Sequence, residues 1–281
     1  MTLNRAAVLG SPISHSLSPA LHRAAYAELG LDDWSYEAIE HDAESFPAWF
    51  AGLDESWRGL SLTMPLKDVA AQLADRLSPS AELTGAVNTI TWVEQGSRRT
   101  AVGDNTDVHG VVAALQSAGV QKAETACVLG AGATARSAVV ALSQLGVQRV
   151  TLLSRSRERT GSVLDLAAGL GLTAVYAPLR RLDLLSGADV VIAALPFGVA
   201  DRFAASLRDG GLDFDPFAGT AGVLLDVVYQ SWPTPLGAAW QSAGGVPVSG
   251  LEMLLHQAAA QVQLMTGLEP PIDAMRAAVQ S

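Results

Sequence analysis

Cysteine is almost absent from this sequence, because Cys127 is the only one among 281 residues. A single thiol cannot form a disulfide within the chain, so a small fold held together by disulfides is excluded. Cys127 lies in an apolar run that is predicted to be a buried strand, and we interpret it as a core residue. One cysteine and five scattered histidines offer no cluster typical of a metal site, so no metal is expected.

Long apolar runs and an excess of positive charge are missing as well. No apolar run approaches the ~18 residues that a membrane-spanning helix needs, and the N-terminus has the pattern of a strand, Arg5–Leu9, rather than of a signal peptide. Lys and Arg number 18 against 28 Asp and Glu, which gives a net charge of −10 without a block of like charges. This balance argues against nucleic acid or an anionic membrane as a partner. We therefore expect a cytoplasmic protein.

The most informative motif lies between residues 125 and 157. A short apolar strand, 126–129, is followed by the turn Gly130-Ala131-Gly132-Ala133-Thr134-Ala135, an alanine-rich helix and a second strand, 150–153. This order is typical of the βαβ unit that binds a dinucleotide: Gly130 permits the tight turn, Gly132 lets a pyrophosphate approach, and Ala135 lets the helix pack on the strand. The helix start points its N–H groups at the phosphates. Glycines also mark ordinary turns, but the strand before and the helix after this one favour a nucleotide site.

The residues after the second strand indicate which dinucleotide is bound. NAD-binding units carry an Asp or Glu about 20 residues after the glycines, where it binds the ribose 2′-hydroxyl. Here the sequence is Ser154-Arg155-Ser156-Arg157. A carboxylate would repel a 2′-phosphate, whereas guanidinium groups bind one. We therefore predict NADP; the alternative is that Arg155, Arg157 and Arg159 only form the solvated start of the next helix.

The length fits two domains, and apolar residues make up 49% of the chain, enough for a large core. Strand and helix patterns alternate, which predicts sheets that are mostly parallel and covered on both faces. We predict an α/β fold of two domains with a cleft between them. One is an N-terminal α/β domain with a mostly parallel sheet, residues 1–106 with 246–281, to which the two C-terminal helices return. The other is a Rossmann-type, doubly wound dinucleotide domain, residues 107–245.

Local signals add detail to the first domain. Ser18 followed by Pro19 predicts a helix over 19–29 with Ser18 as its N-cap. A second helix is predicted over 69–77. Strands over 86–93 and 100–102 flank Gln95-Gly96-Ser97, which is a hairpin signal, and a helix over 108–117 follows.

Several polar side chains lie where predicted strands end, which is where open α/β sheets bind their ligands. Ser16 and Ser18 follow the first strand, and Thr63 and Lys67 follow a later one. Ser18 could serve only as a cap, and Lys67 could be an ordinary surface lysine. A cation is unfavourable at a helix start, however, so Lys67 suggests a functional reason.

Further along the chain, Asn88 lies in a β-branched run and needs a hydrogen-bond partner if it is buried. The cluster Asp104-Asn105-Thr106-Asp107 contains more capping residues than one helix requires. Tyr229, and Gln257 on an otherwise apolar helical stripe, complete the set of candidate site residues.

With these residues the sequence resembles the shikimate dehydrogenase family, NADP-linked enzymes that interconvert 3-dehydroshikimate and shikimate. The resemblance covers nearly the whole chain in the family's order. It rests on seven stretches: 10–19, 62–67, 85–89, 103–107, 130–135, 226–229 with 234–236, and 250–257. It implies an oxidoreductase of aromatic amino-acid biosynthesis (the chorismate pathway) that acts on the CH–OH group of shikimate. Its binding partner would be this small molecule, and its oligomeric state would be a monomer or a homodimer.

The resemblance also assigns roles to residues. Lys67 and Asp107 would be the catalytic pair. The residues that would bind substrate are Ser16, Ser18, Thr63, Asn88, Tyr229 and Gln257. Those that would bind NADP are Gly130, Ala131, Gly132, Ala133, Thr134, Ala135, Ser154, Arg155, Ser156 and Gly250. These assignments suit the chemistry, because hydroxyl and carboxamide groups match a polyhydroxy acid, and a lysine ammonium can protonate the alkoxide that hydride transfer creates.

The sequence departs from the family at three places. Ser61-Leu62 stands where the family usually has Asn-Val, Val108-His109 follows Asp107 where glycine is usual, and 193–195 reads Ala-Ala-Leu in place of Asn-Ala-Thr. The last departure concerns contacts near the nicotinamide. Two alternatives remain: a quinate/shikimate or aminoshikimate dehydrogenase, and a non-catalytic NADP-sensing protein, against which the retained Lys67 and Asp107 argue.

Overall fold

The computed structural model describes residues 3–96, 98–208 and 222–280. It divides the chain into two compact units, residues 1–107 with 254–281 and residues 108–253. The division predicted from the sequence differs here, since it assigned residues 246–253 to the first domain. The cause is a short strand, Val246–Ser249, which pairs with Val223–Asp226 in the second unit. Its four residues are too few to show a periodic pattern.

The first unit is built on a six-stranded sheet flanked by helices. Its elements in chain order are β1 (Asn4–Gly10), α1 (Ser18–Glu28), β2 (Trp34–Glu40), α2 (Phe46–Ala51), β3 (Trp57–Leu62), α3 (Lys67–Leu73), β4 (Arg76–Leu77), α4 (Pro79–Thr84), β5 (Thr89–Gln95) and β6 (Arg98–Asp104). The chain continues through α5 (Asp107–Ser117), in which the second unit begins.

The second unit contains a six-stranded sheet of its own. After α5 its elements are β7 (Thr125–Leu129), α6 (Ala133–Gln144), β8 (Arg149–Ser154), α7 (Gly161–Gly169), β9 (Thr173–Pro178), β10 (Val190–Ala193), α8 (Asp201–Arg208), β11 (Val223–Asp226), α9 (Pro235–Ser242) and β12 (Val246–Ser249). Two further helices end the chain, α10 (Gly250–Thr266) and α11 (Ile272–Ala277). Among the described residues, no helix is both long and apolar enough to cross a bilayer.

The first sheet gathers its functional loops at one edge. The strand order is β2-β1-β3-β5-β6-β4, with β1 parallel to β2 and β3, β5 antiparallel to β3 and β6, and β4 parallel to β6. Because β5 runs against its neighbours, its first residue lies at the same edge as the last residues of β1, β3 and β6. The C-terminal helices pack on α1, where Leu21 and Ala25 meet Leu255, Val262 and Met275.

Three local predictions for this unit need correction. Helix α1 begins at Ser18, so Ser18 is not its N-cap; that position is Leu17, which has no capping side chain. The helix predicted over 69–77 ends at Leu73, because Arg76–Leu77 pairs with β6 as a short strand. The hairpin is present as β5 and β6, paired antiparallel, although Ser97 of its predicted turn lies outside the described residues. Helix α4 was not predicted.

The second sheet is entirely parallel, in the order β12-β11-β10-β7-β8-β9. The order reverses between β7 and β10, which makes the unit doubly wound, as the sequence predicted. Alternate residues of β7 enter two core clusters on opposite faces, Val128 in one and Cys127 with Leu129 in the other. Cys127 is therefore a core residue, as predicted, and burial raises the pKa of its thiol to about 11.

The turn after β7 requires a glycine at position 130. Gly130 has a φ of +118°, and a Cβ there would lie 2.3 Å from the carbonyl oxygen of Ala194. The two segments are drawn together because Ala194 N–H donates to Leu129 O (2.8 Å) while Gly130 N–H donates to Leu153 O (2.9 Å). By contrast, a Cβ on Gly132 would meet nothing within 4 Å.

This difference predicts opposite behaviour for two glycine variants. Gly130→Ala should lower the free energy of unfolding, since the backbone conformation alone costs ~1–3 kcal/mol and the contact with Ala194 adds to it. Gly132→Ala is the matched control and should cost less than ~1 kcal/mol, because its φ of −92° suits alanine. Urea unfolding curves of both variants and the parent measure the difference. Equal stability of the two variants would contradict the packing argument.

Candidate active site

The loops that follow β1 and β3 are bound to each other at the sheet edge. Thr63 N–H donates to Leu9 O (2.9 Å), and Ser11 N–H donates to Met64 O (3.0 Å). A Cβ on Gly10 would lie 2.4 Å from the Thr63 methyl group and 2.8 Å from Met64 O. Only glycine permits this approach, and the approach fixes where Thr63 lies.

Ser16 and Ser18 lie on the loop after β1 and at the start of α1. Ser16 is half-buried, and its hydroxyl oxygen accepts a hydrogen bond from Ser18 N–H (3.3 Å). Ser18 is buried, and its hydroxyl is one of the groups that influence the pKa of the Tyr36 phenol. Burial raises the pKa of Tyr36, and the hydroxyl groups of Ser61 and Ser18 act in the opposite direction. Ser18 is therefore a buried first residue of α1 near Tyr36 rather than a helix cap.

Lys67 and Asp107 form an ion pair between the first residues of two helices. The Lys67 ammonium contacts Oδ2 of Asp107, and their side chains are only 14% and 6% exposed. A lysine at the start of α3 is unfavourable for the helix dipole, and the carboxylate of Asp107 offsets this cost. Asp107 itself suits the start of α5, and its N–H donates to the Asn105 side chain (3.2 Å). Two N–H bonds of the ammonium remain for other acceptors.

Asn88 holds the other oxygen of this carboxylate. Its Nδ2 lies 2.8 Å from Asp107 Oδ1, 2.9 Å from Thr106 Oγ1 and 3.3 Å from Gln257 Oε1, which are three acceptors for its two hydrogens. Its Oδ1 accepts from Thr106 N–H (2.8 Å), which determines the orientation of the carboxamide. Asp107 is thus fixed through both oxygens, one on Lys67 and one on Asn88.

Four of the predicted residues are therefore joined in one cluster, Lys67, Asn88, Asp107 and Gln257. Ser16 and Thr63 lie on loops at the same edge of the sheet, and Ser18 begins the helix that follows the first of these loops. Five buried polar residues around the cluster were not predicted as site residues: His22, Tyr36, Ser61, Thr89 and Gln261. One signal was available: Gln261 follows Gln257 by one helical turn on the apolar stripe of α10.

In the second unit, the glycine turn lies where the strand order reverses. Gly132 is exposed and occupies the N-cap position of α6, so its small size serves no packing contact. Ala135 is buried against the sheet, as predicted. The first N–H groups of a helix have no partner within it, and in α6 these groups begin at Ala133. The turn fits the pyrophosphate of a dinucleotide.

The loop after β8 is shaped by its own serines. Ser154 is buried and its hydroxyl donates to Ser156 O (2.7 Å), while Ser156 Oγ accepts from Arg159 N–H (3.3 Å). The side chains of Arg155, Arg157 and Arg159 are exposed, and within the described residues none of the three forms an ion pair. The guanidinium groups, more than the Ser154 hydroxyl, are therefore available to an anion.

Tyr229 and Gly250 lie near the carboxyl ends of β11 and β12. The buried Asp226 accepts from Thr234 Oγ1 (2.7 Å) and Val228 N–H (3.2 Å), which closes the loop that carries Tyr229. Burial raises the pKa of both Asp226 and Tyr229. A Cβ on Gly250 would lie 2.2 Å from Val227 O, so a glycine is required there by packing alone.

Three family models match the chain. The shikimate dehydrogenase substrate binding domain matches residues 8–90, the shikimate/quinate 5-dehydrogenase model matches 113–196, and the shikimate 5′-dehydrogenase C-terminal domain matches 250–280. The first and last of these matches fall mainly in the first unit.

Curated relatives and solved structures agree with these matches. The shikimate dehydrogenase (NADP(+)) of Methanothermobacter thermautotrophicus is 32% identical over 97% of this chain and 94% of its own. The crystal structure of Mycobacterium tuberculosis shikimate dehydrogenase is 41% identical, covers 98% of this chain and 100% of its own, and has a TM-score of 0.86. The Thermus thermophilus enzyme in complex with NADP(H) and shikimate is 34% identical, covers 99% of each chain and has a TM-score of 0.80. The chain belongs to the shikimate dehydrogenase family.

Proposed function

We propose that this chain is an NADP-dependent shikimate dehydrogenase that catalyses the reversible reduction of 3-dehydroshikimate to shikimate. The observation that carries the proposal, beside family membership, is the Lys67–Asp107 ion pair fixed by Asn88. A protein that only senses NADP has no need of a positioned proton donor, so the pair favours an enzyme. We also place this enzyme in the cytoplasm, as a monomer or homodimer.

The substrate is proposed to bind at the edge of the first sheet. Shikimate carries a carboxylate and three hydroxyl groups, each hydroxyl being both donor and acceptor. Hydroxyl and carboxamide groups at this edge match that inventory, and we assign them to substrate binding: Ser16, Ser18, Thr63, Asn88 and Gln257. Tyr229, a half-buried phenol whose pKa is raised by burial, is assigned to the same role.

Lys67 is proposed to move the proton of the reacting hydroxyl. During oxidation of shikimate, a neutral Nζ accepts this proton, and during reduction the ammonium returns it to the developing alkoxide. Asp107 stabilises the ammonium and keeps Nζ in one place, because its second oxygen is held by Asn88 (2.8 Å). When bound, NADP supplies or accepts the hydride.

The second unit is proposed to bind the cofactor. The backbone N–H groups from Ala131 to Ala135 would hold the pyrophosphate at the start of α6. Arg155 and Arg157 would bind the 2′-phosphate, and the bond between Ser154 and Ser156 (2.7 Å) keeps their loop in shape. Gly250 would allow the cofactor to approach the backbone closely at the end of β12.

The direct test of the proposal is an assay with purified protein. Shikimate and quinate, each with NADP⁺ and with NAD⁺, are followed at the absorbance of the reduced nicotinamide. We expect shikimate with NADP⁺ to give the largest kcat/KM. Faster turnover of quinate would indicate a quinate/shikimate dehydrogenase. No turnover of either acid would refute the proposal that the chain is an enzyme of this kind.

The assignment of the 2′-phosphate predicts a selective effect of Arg155→Ala. Hydrogen bonds to charged groups contribute ~1.5–3 kcal/mol, so KM for NADP⁺ should rise about tenfold or more while KM for NAD⁺ changes little. The matched control is Arg149→Ala, an exposed arginine at the opposite end of the same strand, which should leave both constants unchanged. Equal losses for the two cofactors on Arg155→Ala would refute the assignment.

The proton-transfer assignment predicts severe loss of turnover in Lys67→Met. General acid–base catalysis contributes ~10²–10⁴-fold, and this contribution appears in kcat while shikimate binding changes little. Asp107→Asn should also be severe, because the new NH₂ group must face either the Lys67 ammonium or the Asn88 amide, and both are donors.

The double variant distinguishes joint from separate action of these two residues. If the pair acts as one unit, kcat of the double variant should be close to that of the worse single variant. Losses that multiply would show that the two side chains act independently, and a fully active Lys67→Met protein would exclude lysine as the proton donor.

A further inference from the structure

Gln261 lies in α10 one helical turn beyond Gln257 and is only 1% exposed. Its Nε2 lies 3.2 Å from the backbone carbonyl oxygen of Asn88 and 2.9 Å from Thr89 Oγ1. Since a carbonyl oxygen can only accept, the amide of Gln261 must turn its NH₂ group toward Asn88. The orientation of the Gln261 carboxamide is therefore determined by the backbone carbonyl group of Asn88, the residue that precedes β5.

The opposite side of this carboxamide receives two donors. Gln261 Oε1 lies 2.8 Å from Ser61 Oγ and 3.3 Å from His22 Nε2. Burial lowers the pKa of His22 to about 3, so the ring is neutral and its Nε2 carries the hydrogen that Gln261 accepts. Ser61 must likewise donate to Gln261, and it accepts in turn from the Tyr36 hydroxyl (2.6 Å). All four hydrogen-bonding positions of the Gln261 carboxamide are thus used.

The hydrogen-bond direction set by Gln261 continues through Thr89 and Asn88 to the ion pair of Lys67 and Asp107. Thr89 Oγ1 receives a hydrogen from Gln261, so its own hydrogen points to Asn88 Oδ1 (2.8 Å). With this oxygen occupied, Asn88 Nδ2 points to Asp107 Oδ1 (2.8 Å), and Oδ2 remains for Lys67. Along this series of hydrogen bonds, from Gln261 through Thr89 to Asn88, each donor therefore faces an acceptor.

We propose that Gln261 is a positioning residue of this enzyme: its carboxamide sets the place of the Asn88 backbone and the donor direction of Thr89, and through them the position of Asp107 and Lys67. The inference rests on the function proposed above.

Two variants of Gln261 separate its polarity from its volume. Gln261→Leu removes both donor and acceptor, and kcat for shikimate should fall by about tenfold or more, because buried polar groups are left unpaired. KM for NADP⁺ should stay within about twofold of the parent, since Gln261 is remote in sequence from the dinucleotide motif. The matched control is Val262→Ala, a fully buried neighbour on the same helix, which should lower Tm while kcat stays at the parent value.

Gln261→Glu keeps the shape and adds a titration. Below the pKa of the new carboxyl group, which burial raises, its hydroxyl can donate to Asn88 O while its carbonyl accepts from Ser61. Above that pKa the carboxylate faces the Asn88 carbonyl without a hydrogen, so the ratio of variant to parent kcat should fall as pH rises. The titratable groups around it are His22 directly, Tyr36 beyond Ser61, and Asp107 with Lys67 beyond Asn88. They are present in both variant and parent, and among them His22 lies directly against the side chain at position 261.

The outcomes distinguish this inference from the proposed function. A parent protein without activity on shikimate would overturn both. An active parent with unchanged kcat in both Gln261 variants, or a pH-independent ratio for Gln261→Glu, would overturn the positioning role alone. If Gln261→Leu does not fold, the pH dependence of Gln261→Glu decides the question.

Discussion

The carboxylate of Asp107 is the group on which the site depends, because both of its oxygens are held. Lys67 contacts one oxygen and the Asn88 amide donates to the other (2.8 Å). A lysine at a helix start would otherwise be unfavourable and free to move on its flexible side chain. Paired with a fixed and almost fully buried carboxylate, its Nζ has one location. A proton donor must be within hydrogen-bond reach of the reacting atom, so this constraint matters more than the charge itself.

The topology of the first sheet brings this group together. The antiparallel strand β5 starts at the edge where β1, β3 and β6 end, so residues far apart in sequence become neighbours. A wholly parallel sheet would place the start of β5, and with it Asn88, at the opposite edge. The buried network behind the site then adds α10, whose two glutamines reach the same residue from different turns of one helix.

Two serines have different surroundings in the structure from those that their sequence positions predict. Ser18 has the sequence context of a helix cap, yet it is the buried first residue of α1 and lies near the Tyr36 phenol, because tertiary packing brings β2 beside α1. Ser154 matches the position of a ribose contact, yet its hydroxyl donates to Ser156 within its own loop. A hydroxyl can donate in many directions, so its partner follows from the three-dimensional neighbourhood. Charged and glycine positions were more predictable, since few environments accommodate a lysine at a helix start or a residue with positive φ.

The sequence by itself determined the α/β class, the doubly wound unit, the glycine turn and the four residues of the central cluster. These have local causes: strand and helix periodicity, the steric freedom of glycine, and polar residues in excess of capping needs. Only the tertiary structure decided that β12 is an edge strand of the second sheet and that Asn88 joins Asp107 to Thr106 and Gln257. The same holds for the hydrogen bond from Gln261 to the Asn88 backbone. These contacts join positions up to 173 residues apart. Hydrogen-bond partners at such distances leave no periodic trace in the chain, because they are chosen by packing rather than by neighbours in sequence.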